Sequence, residues 1–240
     1  MSIASVELVH WLAGVRHTVA ETNPGFAVLN PVGLPIPIFG DIRTARVLTI
    51  GVNPSSGEFN PPTRWATVTT DSQWVHRLLN YFHVPGAPWH DWFLPWEASL
   101  KLIGCSYEDR TAAHLDLSPR ATTAMSQSPR PQFCHMVQAD VHWLFEVLAF
   151  APCARLVLAA GAMISPAPDE WLPIGSYLET AAPHHGAQIQ GNENVPRLLT
   201  DDGRVSLPIF SFPNGPSARD KFKLIGDVFA ARDKLLLCLR

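Results

Sequence analysis

The sequence predicts a single α/β domain over residues 1–240, in which a central, mostly parallel four-stranded sheet lies between two layers of helices. Four short runs rich in Val, Ile, Leu and Phe alternate with longer segments whose apolar residues have helical spacing. Apolar residues make up 47% of the chain, which is enough for a substantial core. The 22 prolines indicate that much of the remainder is ordered loop rather than helix interior.

The first half of the chain alternates these helical and strand patterns, with Pro-rich or Gly-rich stretches between them. The predicted elements are, in order, a helix over 5–20, an irregular segment over 22–45, a strand over 46–52, a loop over 60–70, a helix from its cap Asp71 to about residue 82, an aromatic segment leading into a helix that ends near Gly104, and a strand over 112–118.

The second half repeats the alternation, so its strands are expected to lie parallel to the earlier ones. Its predicted elements are a loop over 126–132, a helix over 137–150, a strand over 155–161, a mixed segment over 165–204 with two possible short helical turns, a strand over 206–212, and a helix from its candidate cap Ser217 to about Leu239.

Charge and cysteine usage exclude several classes of protein. The net charge of −3 gives no general attraction to nucleic acid, so any nucleic-acid surface must be local. The four cysteines are widely spaced without a C-x-x-C pair, which predicts thiols in a reducing compartment rather than disulfides or a zinc site. No secretory signal pattern and no apolar run of membrane-spanning length is present, so we expect a cytoplasmic protein.

Two predicted strands end abruptly in loops of Asn, Pro, Ser and Gly. The first loop, residues 53–59, follows the strand over 46–52, and the second loop, residues 213–219, follows the strand over 206–212. Ligands of open α/β sheets bind just beyond the carboxyl ends of the strands. We therefore expect these two loops to face one another across a site that contains Asn53.

Motifs of the commonest α/β enzymes are absent. The chain has no Gly-x-Ser-x-Gly elbow, no phosphate-binding Gly-Lys loop, no dinucleotide glycine fingerprint and no His-Glu-x-x-His helix. The pair His184 and His185 lies in a Pro- and Gly-containing stretch without a matching set of ligands, so we predict solvated side chains rather than a metal site.

Three stretches, in the same order along the chain, resemble motifs of the uracil-DNA glycosylase superfamily. Gly51-Val52-Asn53-Pro54-Ser55, with Phe59 shortly after, resembles the first motif in its Gly-x-Asn-Pro form, as in mismatch-specific and single-strand-selective members. His114-Leu115-Asp116-Leu117-Ser118-Pro119 is similar to the strand that carries the base-reading asparagine. Pro213-Asn214-Gly215-Pro216-Ser217-Ala218-Arg219 resembles the second motif.

The resemblance implies hydrolysis of the N-glycosidic bond of uracil in DNA, which releases free uracil and leaves an abasic site without cutting the strand. It implies that Asn53 positions the attacking water and that Phe59 stacks on the flipped base, within a pocket that includes Gly51, Val52, Pro54, Ser55, His114 and Asp116. The second loop, with Arg219, would contact DNA, and Lys221 and Lys223 would add positive charge. We expect a monomer without cofactor, metal, iron–sulfur cluster or membrane partner.

Two departures from the family pattern concern the base. A histidine that donates to the leaving base in many members is missing, so Asn214, Ser217 or backbone N–H groups would have to donate, and we expect slow turnover. Asp116 replaces the usual asparagine; a protonated carboxyl could donate and accept as an amide does, whereas an ionised one can only accept. Alternatively, Asp116 faces away from the base as a structural cap.

Other functions remain open at this point. The protein could be a glycosylase for another deaminated base, such as hypoxanthine or xanthine, or a non-enzymatic protein that binds uracil or an abasic site. An α/β enzyme that acts on free nucleosides is a more distant alternative. The segment over 165–204 is a candidate insertion that contacts DNA or covers the pocket.

Overall fold

A computed structural model describes residues 3–22, 34–59, 64–65, 67–122, 130–164, 171–191, 195–215 and 221–240. The helices of these residues are α1 (Ile3–Glu21), α2 (Asp71–Leu79), α3 (Phe93–Lys101), α4 (Arg130–Asp140), α5 (His142–Leu148), α6 (Ile174–Ala181) and α7 (Lys221–Cys238). The strands are β1 (Ile38–Phe39), β2 (Val47–Gly51), β3 (Ala112–Asp116), β4 (Leu156–Ala160), β5 (Ala162–Ile164), β6 (Trp171–Pro173), β7 (Ala187–Gln190), β8 (Arg197–Thr200) and β9 (Ser206–Phe212).

The main sheet has the strand order β1-β3-β2-β4-β9-β8-β7. The four strands predicted from the sequence form its centre, and all three pairs among them are parallel. Every residue of β2, β3 and β4 is buried, as expected of parallel strands that are covered on both faces. The predicted mixed α/β fold with a parallel central sheet is therefore confirmed.

Three further strands extend this sheet to seven, and they pair antiparallel at its two edges. At one edge, β1, which lies inside the stretch predicted to be irregular, pairs with β3. At the other edge, β8 pairs with β9, and β7 pairs with β8. Two described parts of the predicted mixed segment thus complete the sheet, while β5 and β6 form a separate two-stranded sheet.

The mixed segment is part of the core rather than a separate insertion. Ile174, Leu178 and Leu198 are 0–1% exposed and belong to the same apolar cluster as the central strands. The described part of this segment thus contributes to the fold itself, and its expected contact with DNA or cover of the pocket stays a prediction, whereas residues 165–170 and 192–194 lie outside the described residues.

Local hydrogen bonds explain two differences in helix boundaries. The N-cap of α2 is Thr70 rather than Asp71, because its side chain accepts from the backbone N–H of Gln73 while the Gln73 side chain accepts from the backbone N–H of Thr70. The predicted helix over 137–150 is two helices that meet at Val141, and α4 begins at Arg130 inside the predicted loop. Pro131 is compatible with this start, since the first turn of a helix tolerates a missing N–H.

None of the helices in the described ranges is long and apolar enough to cross a membrane. All four cysteines carry free thiols.

Candidate active site

The first loop lies against the β3 loop, residues 117–122, at the carboxyl edge of the sheet. The backbone N–H of Leu117 donates to the carbonyl oxygen of Gly51 at 3.1 Å, and that of Thr122 donates to the carbonyl oxygen of Pro54 at 3.2 Å. Pairing between β2 and β3 thus continues beyond the strands, and it brings the first motif beside the motif that contains Asp116.

The side-chain amide of Asn53 has a fixed orientation. Its Nδ2 lies 2.8 Å from the carbonyl oxygen of Pro54, 3.2 Å from that of Arg120 and 2.8 Å from the hydroxyl oxygen of Thr122. Carbonyl oxygens only accept, so the atom that faces them must be the nitrogen. The opposite atom, Oδ1, has no hydrogen-bond partner within the described ranges, and a half-buried, oriented acceptor of this kind can hold a water molecule.

A buried ion pair holds the β3 loop in place. The Arg120 Nε atom lies 2.9 Å from Asp140, which also accepts from the Ser118 hydroxyl at 2.7 Å. Burial raises the pKa of Asp140, although Ser118 and Arg120 oppose this shift. The same guanidinium donates to the carbonyl oxygens of Val19 and Thr22 at 2.9 and 2.7 Å. The acceptors that orient Asn53 are thus anchored to α4 and to the end of α1.

A chain of buried hydrogen bonds leads to Asp116. The Tyr107 hydroxyl lies 2.5 Å from Thr49 Oγ1, which lies 2.7 Å from Nδ1 of His114, and His114 Nε2 lies 3.2 Å from Asp116 Oδ1. Among the described residues, the acceptor for the Tyr107 O–H is the hydroxyl oxygen of Thr49. The Thr49 hydroxyl also lies 3.4 Å from the carbonyl oxygen of Ala113, so either this hydroxyl or the His114 ring can donate in the Thr49–His114 hydrogen bond.

Asp116 faces this chain and is almost fully buried, with 3% of its surface exposed. Burial raises the pKa of Asp116, and the interactions with His114 oppose this shift only in part. A Cβ atom at Gly51 would lie 2.6 Å from Asp116 Oδ1, which explains why the residue beside Asp116 is glycine. Asp116 thus lies within the buried hydrogen-bond chain, and both its role toward a base and the alternative of a structural role stay predictions.

Several residues that the motifs did not indicate surround this site. Glu58 lies on the short 3-10 turn Ser56–Phe59 and accepts a hydrogen bond from the Tyr81 hydroxyl. Burial raises the pKa of Glu58, while Tyr81, His90, Arg64 and Trp92 each lower it. The signal that could have found it is an acidic residue within a stretch of small and apolar residues.

Aromatic side chains pack below the first loop. The Arg64 guanidinium lies 3.7 Å from the centroid of the Tyr81 ring, and the Trp92 ring lies 4.7 Å from that of His114. Phe59 is half-buried, and its ring lies 6.1 Å from that of Trp65. Phe59 therefore lies at the rim of this aromatic cluster, where a planar ligand could stack on it.

The second loop leaves the same edge of the sheet at β9, with β4 between it and β2. The two loops are thus two strand spacings apart, about 10 Å. A Cβ at Gly215 would lie 3.1 Å from the Cα of Gly161, so the loops after β4 and β9 are in backbone contact. Asn214 Nδ2 donates to the carboxylate of Asp227 on α7 at 2.8 Å. This is the amide that we expected to donate to a leaving base.

The remaining predictions for the second loop concern its DNA contacts. Pro213 is exposed, whereas Pro216, Ser217, Ala218 and Arg219 lie outside the described residues. Lys221 is the first residue of α7, and Lys223, two positions further, is exposed.

A cavity of about 660 Å³ lies at the opposite edge of the sheet, where β8 ends and β9 begins. His185 contributes to its lining and stacks on Phe145 at 5.9 Å, so it is not simply solvated as predicted, while His184 is exposed. In the described part of the chain, no group of three or more His, Cys, Asp or Glu side chains could hold a metal ion.

Neither the models of known protein families nor the curated proteins contain a match to this sequence. The resemblance to glycosylases therefore rests on the three sequence motifs alone.

Proposed function

We propose that the protein is a monofunctional DNA glycosylase that hydrolyses the N-glycosidic bond of uracil in DNA. The observation that carries this proposal is the Asn53 amide at the carboxyl edge of the sheet, whose nitrogen is held by three acceptors while its Oδ1 has no hydrogen-bond partner among the described residues. Asp116, buried at the end of the neighbouring strand, supplies a group that could read the base.

The proposed reaction begins when uracil leaves the DNA stack and enters the site. Asn53 Oδ1 accepts a hydrogen bond from water and directs its oxygen at the anomeric carbon of the sugar. An amide is a poor base, so this step depends on positioning more than on proton removal. The C–N bond breaks, and its electron pair leaves with uracil, whose negative charge is stabilised by fixed donors such as a protonated Asp116. The water oxygen bonds to the anomeric carbon, and one proton of this water passes to the uracil anion, which leaves as neutral uracil.

The second loop and the start of α7 would contact the DNA backbone, with Arg219, Lys221 and Lys223 as its cations. The partners in this proposal are DNA that contains uracil or an abasic site, and free uracil as the product. We further propose that the protein acts as a monomer in the cytoplasm, without a cofactor.

The decisive experiment uses an end-labelled oligonucleotide with one uracil, single-stranded or paired with guanine or adenine, followed by alkali. We expect cleavage at uracil that is lost in Asn53→Ala. Asn80→Ala is the matched control, because its amide donates to the carbonyl oxygen of His76 at the end of α2. Unchanged cleavage in Asn53→Ala would refute the role of Asn53 and leave the reaction standing.

One observation favours a second candidate, a protein that binds the lesion without turnover. The Asn214 amide donates to Asp227, so α7 takes up one of the two N–H groups that this side chain could offer to a leaving base. Saturable binding of uracil-containing or abasic DNA, with no product from any substrate, would support this candidate over the glycosylase.

A further inference from the structure

Several buried polar atoms near the first loop have no hydrogen-bond partner among the described residues. Four of them lie around Tyr81: Glu58 Oε1, Trp65 Nε1, Trp92 Nε1 and Asp116 Oδ2. Glu58 and Asp116 are only 6% and 3% exposed. A buried polar group without a partner destabilises the fold, so a cluster of such groups indicates where a ligand or water binds.

Trp92 links Glu58 to Asp116, and each of these three residues carries one of the atoms without a partner. The Trp92 ring lies 4.7 Å from the ring of His114, whose Nε2 is 3.2 Å from Asp116. Its indole N–H also stabilises the Glu58 carboxylate, although it has no hydrogen bond of good geometry. Phe39 packs against both Trp92 and His114, at 6.4 and 5.4 Å, and closes the cluster.

The hydrogen-bonding character of the three atoms follows from their surroundings. The indole of Trp92 can only donate. Glu58 already accepts from the Tyr81 hydroxyl and lies near the Arg64 guanidinium, so its Oε1 acts as an acceptor. Asp116 Oδ1 faces His114 Nε2 at 3.2 Å, and burial shifts the pKa of this carboxyl toward the protonated form, in which Oδ2 is a donor. With Asp116 protonated, the set offers two donors and one acceptor.

We propose that Glu58 and Trp92 read the base together with Asp116, and that the site selects a cyclic imide. In such a ring one N–H lies between two carbonyl groups, which complements two donors and one acceptor. Uracil and xanthine present this edge. Cytosine lacks the central N–H, and hypoxanthine has only one carbonyl beside its N–H. For bases in DNA the inference rests on the proposed glycosylase, but the same site would bind the free base.

Entry of a base requires a movement, because all three atoms are buried in the unliganded protein. The turn Ser56–Phe59 carries Glu58 and follows Asn53 by only a few residues. Opening and closing of this turn would admit the base and bring the acceptor onto it, as loop closure does in many enzymes.

The test is calorimetric titration of the protein with free uracil, xanthine, cytosine and hypoxanthine. We expect the two imides to bind at least about tenfold more tightly than the other bases, as one lost hydrogen bond in a buried site predicts. Trp92→Phe and Glu58→Ala should each weaken uracil binding by about tenfold.

Two control variants alter similar side chains whose polar groups already have partners. Trp89→Phe removes an indole N–H that donates to the carbonyl oxygen of Phe82 at 2.9 Å. Glu97→Ala removes a buried carboxylate that accepts from the Ser106 hydroxyl and the Tyr107 N–H. Both should change uracil binding by less than about twofold, since neither carries an unsatisfied atom of the cluster.

The outcomes separate this inference from the proposed function. Uracil excision together with unchanged uracil binding in Trp92→Phe and Glu58→Ala would overturn the inference and leave the glycosylase standing. Imide binding that both variants weaken, without excision, would support the site and refute the glycosylase. If no free base binds, the wild-type protein is tested for excision instead. Equal excision of uracil and hypoxanthine would overturn the inference. The absence of both base binding and excision would also overturn it.

Discussion

The first and second loops leave the same edge of the sheet, but they are held in different ways. In the first loop and the neighbouring β3 loop, side chains bond to one another and fix the Asn53 amide on three acceptors. In the described part of the second loop, Asn214 bonds outward to α7, and Gly215 contacts Gly161 through backbone atoms. The Asn53 side chain is thus fixed within its own pair of loops, whereas the described part of the second loop is held by α7 and by a backbone contact.

The largest effect on stability is expected from removing the Arg120–Asp140 ion pair, which holds the β3 loop in place. Asp140→Ala leaves the Arg120 guanidinium buried without its carboxylate, at 8% exposure. We expect a loss of about 3–5 kcal/mol in the free energy of unfolding, measured by urea denaturation. Glu108→Ala, which removes an exposed partner of Lys101, should cost less than about 1 kcal/mol. Equal losses in the two variants would show that the β3 loop does not depend on this ion pair.

A matched pair of substitutions sharpens the comparison. Asn53→Ala should cost about 1–3 kcal/mol of stability, because it removes the donor that several partly buried acceptors share. Asn214→Ala should cost less than about 1 kcal/mol, because Asp227 is only partly buried and regains water.

Excision by the same two variants tests their roles in the reaction. If the proposed function holds, Asn53→Ala abolishes uracil excision and Asn214→Ala retains it. A fall of about 10²–10³ in the rate of Asn214→Ala would instead make Asn214 the donor to the leaving base, as the sequence suggested.

The smallest expected effect concerns the pH dependence of stability. Burial raises the pKa of Asp116 in the folded protein above its ordinary value of 3.8. The stability contributed by its protonated form is therefore complete below that ordinary value and is lost as pH rises through the raised pKa. Wild-type stability, measured by urea unfolding, should decline relative to Asp116→Asn over this window. A difference between the two proteins that stays constant with pH would contradict a protonated Asp116.

Three strands of the parallel core, β2, β4 and β9, were predictable because they are mostly apolar and end at or beside Gly or Pro, while Pro119 marked the end of the stretch that contains β3. β9 was predicted at its observed bounds for this reason. β1 has only two residues and is stabilised by its pairing with β3, which is distant in sequence. Such a strand exists because of tertiary contacts, and local periodicity does not reveal it.

The candidate site was predictable only where a motif marked it. Asn53 and Asp116 were identified from their motifs, and the structure places their loops side by side. Glu58 was not, because its burial depends on Tyr81 and Arg64, which the fold brings to it from other segments. The partner of Asn214 on α7 is likewise a tertiary contact that spacing along the chain does not reveal.

The bonds from Arg120 to the end of α1 have a consequence for biosynthesis. Val19 and Thr22 leave the ribosome about one hundred residues before Arg120, whose partner Asp140 emerges later still. The nascent chain therefore carries Asn53 for a long interval before the loop that orients it can be assembled. Translation of the first half alone yields a polypeptide with the first motif but without its geometry, so the site is completed only in the second half of synthesis.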